Sequence, residues 1–177
     1  GLAGIRMQGL SEMAETEQRI RTAPMADIER VAEIESLCFP PAEGASRESL
    51  AARLRVYPDH FWVLEDGVTI VGFVNGLATD EPHLRDEMYD DASMHDEKGA
   101  WQMIFGVDTV PECRRRGFAA MLIRHVIAAA RGQGRKGLVL TCKDRLVHYY
   151  AKLGFTDEGI SGSTHGNVQW HEMRLSF

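Results

Sequence analysis

Val107-Asp108-Thr109-Val110-Pro111-Glu112-Cys113-Arg114-Arg115-Arg116-Gly117-Phe118-Ala119-Ala120 is an apolar strand that runs into three arginines and a glycine, and then into a long amphipathic helix. A helix start leaves its first N–H groups unpaired and carries partial positive charge, which makes it a ready anion site. Gly117, Ala119 and Ala120 are small enough for a bulky anion to approach the backbone closely. An ordinary strand-to-helix turn with solvated arginines would account for this segment taken alone. What surrounds it therefore matters.

The chain has 177 residues, enough for one domain with a substantial core and no need of disulfides or metal. Its net charge of −6 disfavours nucleic acid as a partner, so the arginines at 114–116 form a local patch sized for a few phosphates. Cys38, Cys113 and Cys142 are odd in number and show no metal-ligand spacing, which suits a reducing cytoplasm. No apolar run approaches the ~20 residues of a membrane span. Residues 1–12 read as a non-native leader, with Met13 as the native start and 13–177 as a single domain. The expected localisation is cytoplasmic, as a monomer or homodimer, with no membrane or nucleic-acid partner and no metal.

Outward from the quoted stretch, Gln18 to Arg21 is a short strand. Pro24 opens a helix through Cys38 with the stripe Ile28, Val31, Ile34 and Leu37, and Phe39-Pro40-Pro41 ends it. Ser46 caps a second helix through Arg55. Phe61 to Leu64 and Val68 to Leu77 form a hairpin about Glu65-Asp66-Gly67, with Gly72 and Gly76 marking a bulge or a close backbone neighbour. Asp80 to Lys98 carries eight carboxylates, and reads either as a solvated loop or as an acceptor-site wall that attracts a cationic amine. Trp101 to Val110 is the central strand, Gly117 to Ala130 a helix, and Gly137 to Cys142 a buried strand. A helix from Asp144 to Leu153 stops at Gly154, and Phe155 to Gly159 and Asn167 to Phe177 are the last strands. The fold class is α/β (α+β): one mixed, twisted central sheet of about seven strands with helices on both faces.

Arg114-x-x-Gly117-x-Ala119 resembles the phosphate-binding signature of the GNAT superfamily of acyl-CoA N-acyltransferases. Tyr150-Ala151-Lys152-Leu153-Gly154-Phe155 is similar to that superfamily's Tyr-x-x-x-Gly-Phe helix end. Cys142-Lys143-Asp144 followed by Leu146-Val147 is similar to the arylalkylamine N-acetyltransferase branch. The resemblance is strong from 101 to 155 and loose before. It implies acetyl-CoA as co-substrate and no metal. The N–H groups of Arg115 through Ala120 (Arg115, Arg116, Gly117, Phe118, Ala119 and Ala120) would cradle the diphosphate, with Arg114, Arg115 and Arg116 adding charge-assisted bonds. Pantetheine would pair with the backbone of Val107, Asp108 and Thr109, and an N–H near Val107 would stabilise the tetrahedral oxyanion. Tyr150 matches the general-acid position, where a phenol stays protonated at neutral pH.

The base is unassigned. Members of the arylalkylamine branch carry two histidines on the central strand, and this chain has Met103 and Phe105 there. Asp108, His148, His165, His95 and Glu97, or water held by any of them, are the candidates. An apolar pair in place of two histidines suggests a drier acceptor pocket, formed by Phe39, Met103, Phe105 and His165, with Pro40 and Trp170. Such a pocket suits an arylalkylamine, whereas the acidic loop suits a polyamine or a basic peptide end. The expected reaction is direct attack by the primary amine of a small acceptor on acetyl-CoA, through a tetrahedral intermediate. A non-catalytic acyl-CoA sensor, or acetylation of a protein or peptide amine, are the alternatives.

Overall fold

A computed structural model describes residues 17–177. The proposed leader at 1–12 lies outside the described residues. β1 (Gln18–Thr22) is followed by a 3-10 turn at Met25–Asp27 and helix α1 (Ile28–Cys38), so Pro24 caps the turn and the regular helix begins four residues later. Helix α2 (Arg47–Val56) starts as the sequence indicates, with Ser46 Oγ accepting the Ser49 N–H at 3.1 Å. Strands β2 (Phe61–Asp66) and β3 (Thr69–Asn75) form the hairpin, turned at Gly67 with φ 65°. β4 (Ala78–Thr79) and a single helical turn, α3 (Glu87–Asp90), precede the central strand.

That strand is split at Phe105 into β5 (Trp101–Ile104) and β6 (Gly106–Thr109). Helix α4 (Phe118–Gly132), β7 (Gly137–Cys142), α5 (Val147–Lys152), β8 (Thr156–Ile160) and β9 (His171–Ser176) complete the chain. The two halves of the split strand belong to different ladders. β6 closes an antiparallel sheet in the order β1-β2-β3-β6, and β5 sits in a mixed sheet in the order β4-β5-β7-β9-β8. The β5–β7 pairing, which is parallel, ends at Ile104 and Leu140. From there β6 and β7 part, and the space between them is the cleft.

The break has a local cause. Asn75 is paired in register with Gly106, yet its carbonyl accepts the N–H of Phe105 at 2.9 Å, so two consecutive residues oppose one. This is a β-bulge, which bends the strand and re-aims its side chains. The two glycines read from the sequence permit it. A Cβ on Gly76 would stand 1.8 Å from the Met103 carbonyl oxygen, and one on Gly72 2.6 Å from that of Asp108. α1, α2 and α4 bury their apolar stripes on the sheets, with Val31, Ile34, Leu50, Leu122, Ile123 and Val126 at the centre. A smaller core of Tyr57, Leu77, Leu84, Met88, Met103 and Val139 lies beside β5. No helix among the described residues is long and apolar enough to cross a membrane.

Gly76→Ala should destabilise the fold by about 3 kcal/mol or more, because the clash is with backbone that cannot rotate away. Urea denaturation monitored by tryptophan fluorescence measures the loss, and a change below about 1 kcal/mol would mean that β3 and β5 are not so closely apposed.

Candidate active site

Where β6 and β7 separate, a cavity of about 520 Å³ opens. Its floor is Phe105, Gly106 and Val107 on one side and Thr141, Cys142 and Lys143 on the other. α1 and the loop after it add Glu35, Cys38 and Phe39, α2 adds Arg53, and α5 adds Tyr150.

The backbone of β6 is available to a ligand. Val110 N–H bonds to the Val71 carbonyl, so strand alternation turns the N–H and C=O of Asp108 toward β3 and those of Val107 and Thr109 toward the opposite edge. The Thr109 carbonyl there accepts the Cys38 thiol at 3.2 Å. The Val107 groups face the cleft that β7 has left.

Beyond this edge lies the arginine turn. Arg115 has φ 67° and Gly117 φ 80°, and the first helical hydrogen bond in α4 runs from Met121 to Gly117. The N–H groups of residues 115–120 therefore meet no protein acceptor among the described residues, and α4 has no side-chain cap. Consecutive N–H groups bent into a concavity form an anion nest. Phe118 is buried and can offer only its backbone, whereas Ala119 and Ala120 are half-exposed. Arg114, Arg115 and Arg116 are exposed. Arg116 pairs with Asp66 at 3.2 Å and stacks over Phe118, so its guanidinium braces the turn.

Tyr150 lies on the cavity wall, and its hydroxyl has no hydrogen-bond partner among the described residues. Burial, reinforced by the nearby Cys142 and Tyr149, pushes its pKa well above the ordinary phenol value, so it holds its proton. Tyr149 is exposed and packs edge-on against it. Burial likewise raises the Cys142 thiol to about 11, which leaves it unreactive.

Asp108 is not a cavity-wall residue. It is 0% exposed behind the wall, and neither carboxyl oxygen has a donor. Burial, and then the neighbouring Glu35 carboxylate, raise its pKa well above the usual range. Asp108 is thereby held toward its neutral form beside Glu35, whose Oε2 accepts the Ala45 N–H at 2.7 Å. Glu35 is 7% exposed and reaches the cavity. Sequence reasoning missed it because it flanks the apolar stripe of α1; a carboxylate three residues before a pocket-facing cysteine was the only hint.

The other expectations divide. Phe39, Phe105 and His165 line the cavity, as do Pro40 and Trp170. His165 is a clip: its Nε2 lies 2.7 Å from the Glu43 carbonyl, its ring stacks on Tyr89, and its own carbonyl accepts the Trp170 indole N–H. Met103 requires a correction. It is 0% exposed in the smaller core, because the strands part only after Ile104, one residue past its position. His148 is exposed on α5 and outside the cavity.

His95 and Glu97 also lie elsewhere, grouped with buried His60. His95 Nδ1 accepts the Ala78 N–H at 3.0 Å, so its proton sits on Nε2 and is donated to Glu97 at 2.7 Å. Burial lowers the His95 pKa, in keeping with a neutral ring. Three such groups lie close enough for a cation, but a cation would need the nitrogen that this bond keeps protonated. The group fastens the acidic segment to the sheet.

Comparison with known proteins places this geometry. Residues 28–155, more than half of the chain, match the family described as the Acetyltransferase (GNAT) family. The chain belongs to the GNAT acetyltransferase family. It is 31% identical over 104 residues to human N-acetyltransferase 8, a match that covers 57% of this chain and 40% of that protein, so less than half of the relative's length is represented. Among solved structures it is similar to the GphF GNAT-like decarboxylase in complex with isobutyryl-CoA, with TM-score 0.78, 24% identity, and coverage of 89% of this chain and 98% of that one. A GNAT acetyltransferase from Brucella melitensis in complex with acetyl-CoA superposes with TM-score 0.59 at 16% identity, over 92% of this chain and 89% of that one. At these identities the structural likeness speaks for the fold.

Substitutions at two positions probe the site. At Gly117 a Cβ would meet nothing within 4 Å but would strain the turn at φ 80°, so Gly117→Asp is read against Gly117→Asn, which carries the same strain without the charge. Relative to Gly117→Asn, Gly117→Asp should weaken acetyl-CoA binding by about tenfold or more in calorimetry, by setting a carboxylate against the nest; equal affinity would put the phosphate site elsewhere. Asp108 has a folded pKa above its unfolded value, so its stabilising proton is fully present below the unfolded value and is lost as pH rises toward the folded one. Asp108→Asn keeps a donor to Glu35 at every pH. Its melting-temperature advantage over the parent should widen from about pH 5 to about pH 9, and a constant difference would show that Asp108 is not held neutral.

Proposed function

We propose that the chain transfers an acetyl group from acetyl-CoA to the primary amine of a small-molecule acceptor by direct attack through a tetrahedral intermediate. The observation that carries the reading is the free Val107 edge of β6, which opens on the same cavity as the unpartnered Tyr150 hydroxyl. The edge suits the amide chain of pantetheine as an added strand. The Val107 N–H then meets the thioester carbonyl, where negative charge develops in the intermediate. The nest at residues 115–120 takes the diphosphate, with the exposed Arg115 adding charge-assisted bonds and Arg114, which also lies against the Cys38 thiol, adding charge.

The chemistry needs two proton movements. A neutral amine attacks the carbonyl carbon, and the C–S bond breaks as the intermediate collapses. Tyr150 gives its proton to the departing thiolate sulfur. Glu35, carboxylate outermost of a pair that shares one proton with Asp108, takes the proton lost by the amine nitrogen, directly or through water. Cys38 stays a thiol, since burial raises its pKa above the ordinary value.

A small acceptor fits better than a folded protein. The Glu43–His165–Trp170 clip roofs a cavity of about 520 Å³, within the range of small-molecule pockets. An arylalkylamine is supported by the aromatic walls Tyr89, Phe105 and Trp170.

Thiol release from acetyl-CoA in the presence of an amine panel tests the reading. Tyr150→Phe should lower kcat by about a hundredfold with little change in acetyl-CoA affinity, and Glu35→Gln by a similar factor near neutral pH, with partial recovery as the amine deprotonates unaided. Because its pKa lies above the ordinary phenol value, Tyr150 should impose no alkaline fall in kcat below about pH 10. Tight acetyl-CoA binding without release across the panel would leave a non-catalytic sensor.

A further inference from the structure

Arg53 lies on the buried face of α2, between Ala51 and Leu54, and is 4% exposed. A guanidinium carries five N–H groups and is charged at every physiological pH. Two of those groups have acceptors, and both acceptors are neutral: Asn75 Oδ1 at 3.0 Å and the Tyr89 carbonyl at 2.8 Å. Nε is buried with no partner. Among the described residues, no carboxylate oxygen comes within 4.0 Å of this guanidinium, whereas Arg135, the other buried arginine, has Glu97 at 3.6 Å. Its flat face lies 4.8 Å from the centre of the Phe105 ring. Arg53, Asn75, Tyr89 and Phe105 all line the cavity.

A buried cation without a counter-ion is expensive, and proteins retain one where a ligand supplies the missing charge. The acids of the cavity do not supply it. Glu43 is paired with Lys143 at 2.8 Å, Glu35 lies beside Asp108 and makes no ion pair with Arg53, and Asp90 is exposed at the rim. Arg53 and the Asp108–Glu35 pair do sense one another across the cavity. The cavity is therefore lined both by Glu35, beside Asp108 and Ala45, and by a guanidinium without a counter-ion beside Phe105 and Tyr89.

We propose that the acceptor is an amino acid: its amine is directed at Glu35 and the thioester, its carboxylate is bound by the Arg53 fork, and its apolar or aromatic side chain lies against Tyr89, Phe105 and Trp170. The proposal rests on the acetyl-transfer reading and specifies its substrate. A planar guanidinium held by Asn75 and the Tyr89 carbonyl is already fixed in orientation, so it is suited to take a carboxylate through two parallel N–H bonds.

The test compares matched acceptors on the unmodified enzyme: phenylalanine, phenylalaninamide and phenethylamine, with leucine and isopentylamine as a second pair. Removing the carboxylate charge lowers the amine pKa in the amide and raises its neutral fraction, so amine chemistry alone would favour the amide. The expected result is a kcat/KM for the amino acids at least about thirtyfold above their carboxylate-free counterparts, the scale of a desolvated charge pair. Arg53→Met should bring that ratio close to one, and Arg53→Lys should restore part of it by returning the charge without the fork.

Equal or better use of phenethylamine, isopentylamine and the amide by the parent enzyme overturns the proposal, whether or not the variants fold. Calorimetry of the CoA-bound enzyme with N-acetylphenylalanine and N-acetylphenethylamine separates the two levels. Carboxylate-dependent binding without any turnover would overturn acetyl transfer and keep the subsite. Turnover without carboxylate preference would do the reverse.

Discussion

The structure depends on one change of partner in a strand. Residues 101–104 hydrogen-bond to β7, residues 106–109 to β3, and the bulge opposite Asn75 is the switch. A strand that bends away from one neighbour strands a set of main-chain groups, and buried groups of that kind are costly unless something completes them. At Val107 they are completed by whatever enters the cleft. The glycines that permit the switch, Gly72 and Gly76, lie on the neighbouring strand, where any side chain would strike the bent backbone. Core packing of α1 and α4 against these sheets holds the opening at a fixed width.

Electrostatics then sort the cavity. Asp108 is held toward its neutral form beside Glu35, because desolvation and like-charge repulsion both oppose its ionisation. A phenol kept neutral by burial stands near by as donor. These two shifts run in the same direction, both retaining protons, yet they serve opposite roles. In the proposed transfer the acid pair takes a proton and the phenol gives one.

What could be read from the sequence was what local chain geometry determines. The anion nest needs only a glycine, a tight turn and a helix start in succession, so residues 114–120 announced it. The Tyr150 helix ends at a glycine for equally local reasons. The order of strands and helices followed from periodicity, and the sheet differs from the expected single sheet of about seven strands in dividing at Phe105 and in adding the short β4. The acceptor side was less legible. Whether Met103 or Phe105 faces the cleft depends on where β5 and β7 part, which is a tertiary fact invisible in either residue. Glu35 and Arg53 sit on helix faces that read as apolar stripes, and a lone charge beside such a stripe looks solvent-facing until the partner element is known.

The conflict between a dry pocket and an acidic one dissolves for the same reason. The carboxylates of segment 80–98 are spent locally: Asp80 on the Ala100 N–H, Glu81 and Glu87 on Arg85, Asp86 on Ser163 and Thr164, Asp91 and Asp96 on their own turns, and Glu97 on the histidines. Only Asp90 reaches the cavity, at its exposed rim. The segment contributes through its apolar residues, with Leu84 and Met88 anchored in the smaller core so that Tyr89 is delivered to the wall. The Tyr89 carbonyl in turn orients Arg53. A stretch that looks from its composition like bait for cations therefore builds the wall beside a buried guanidinium.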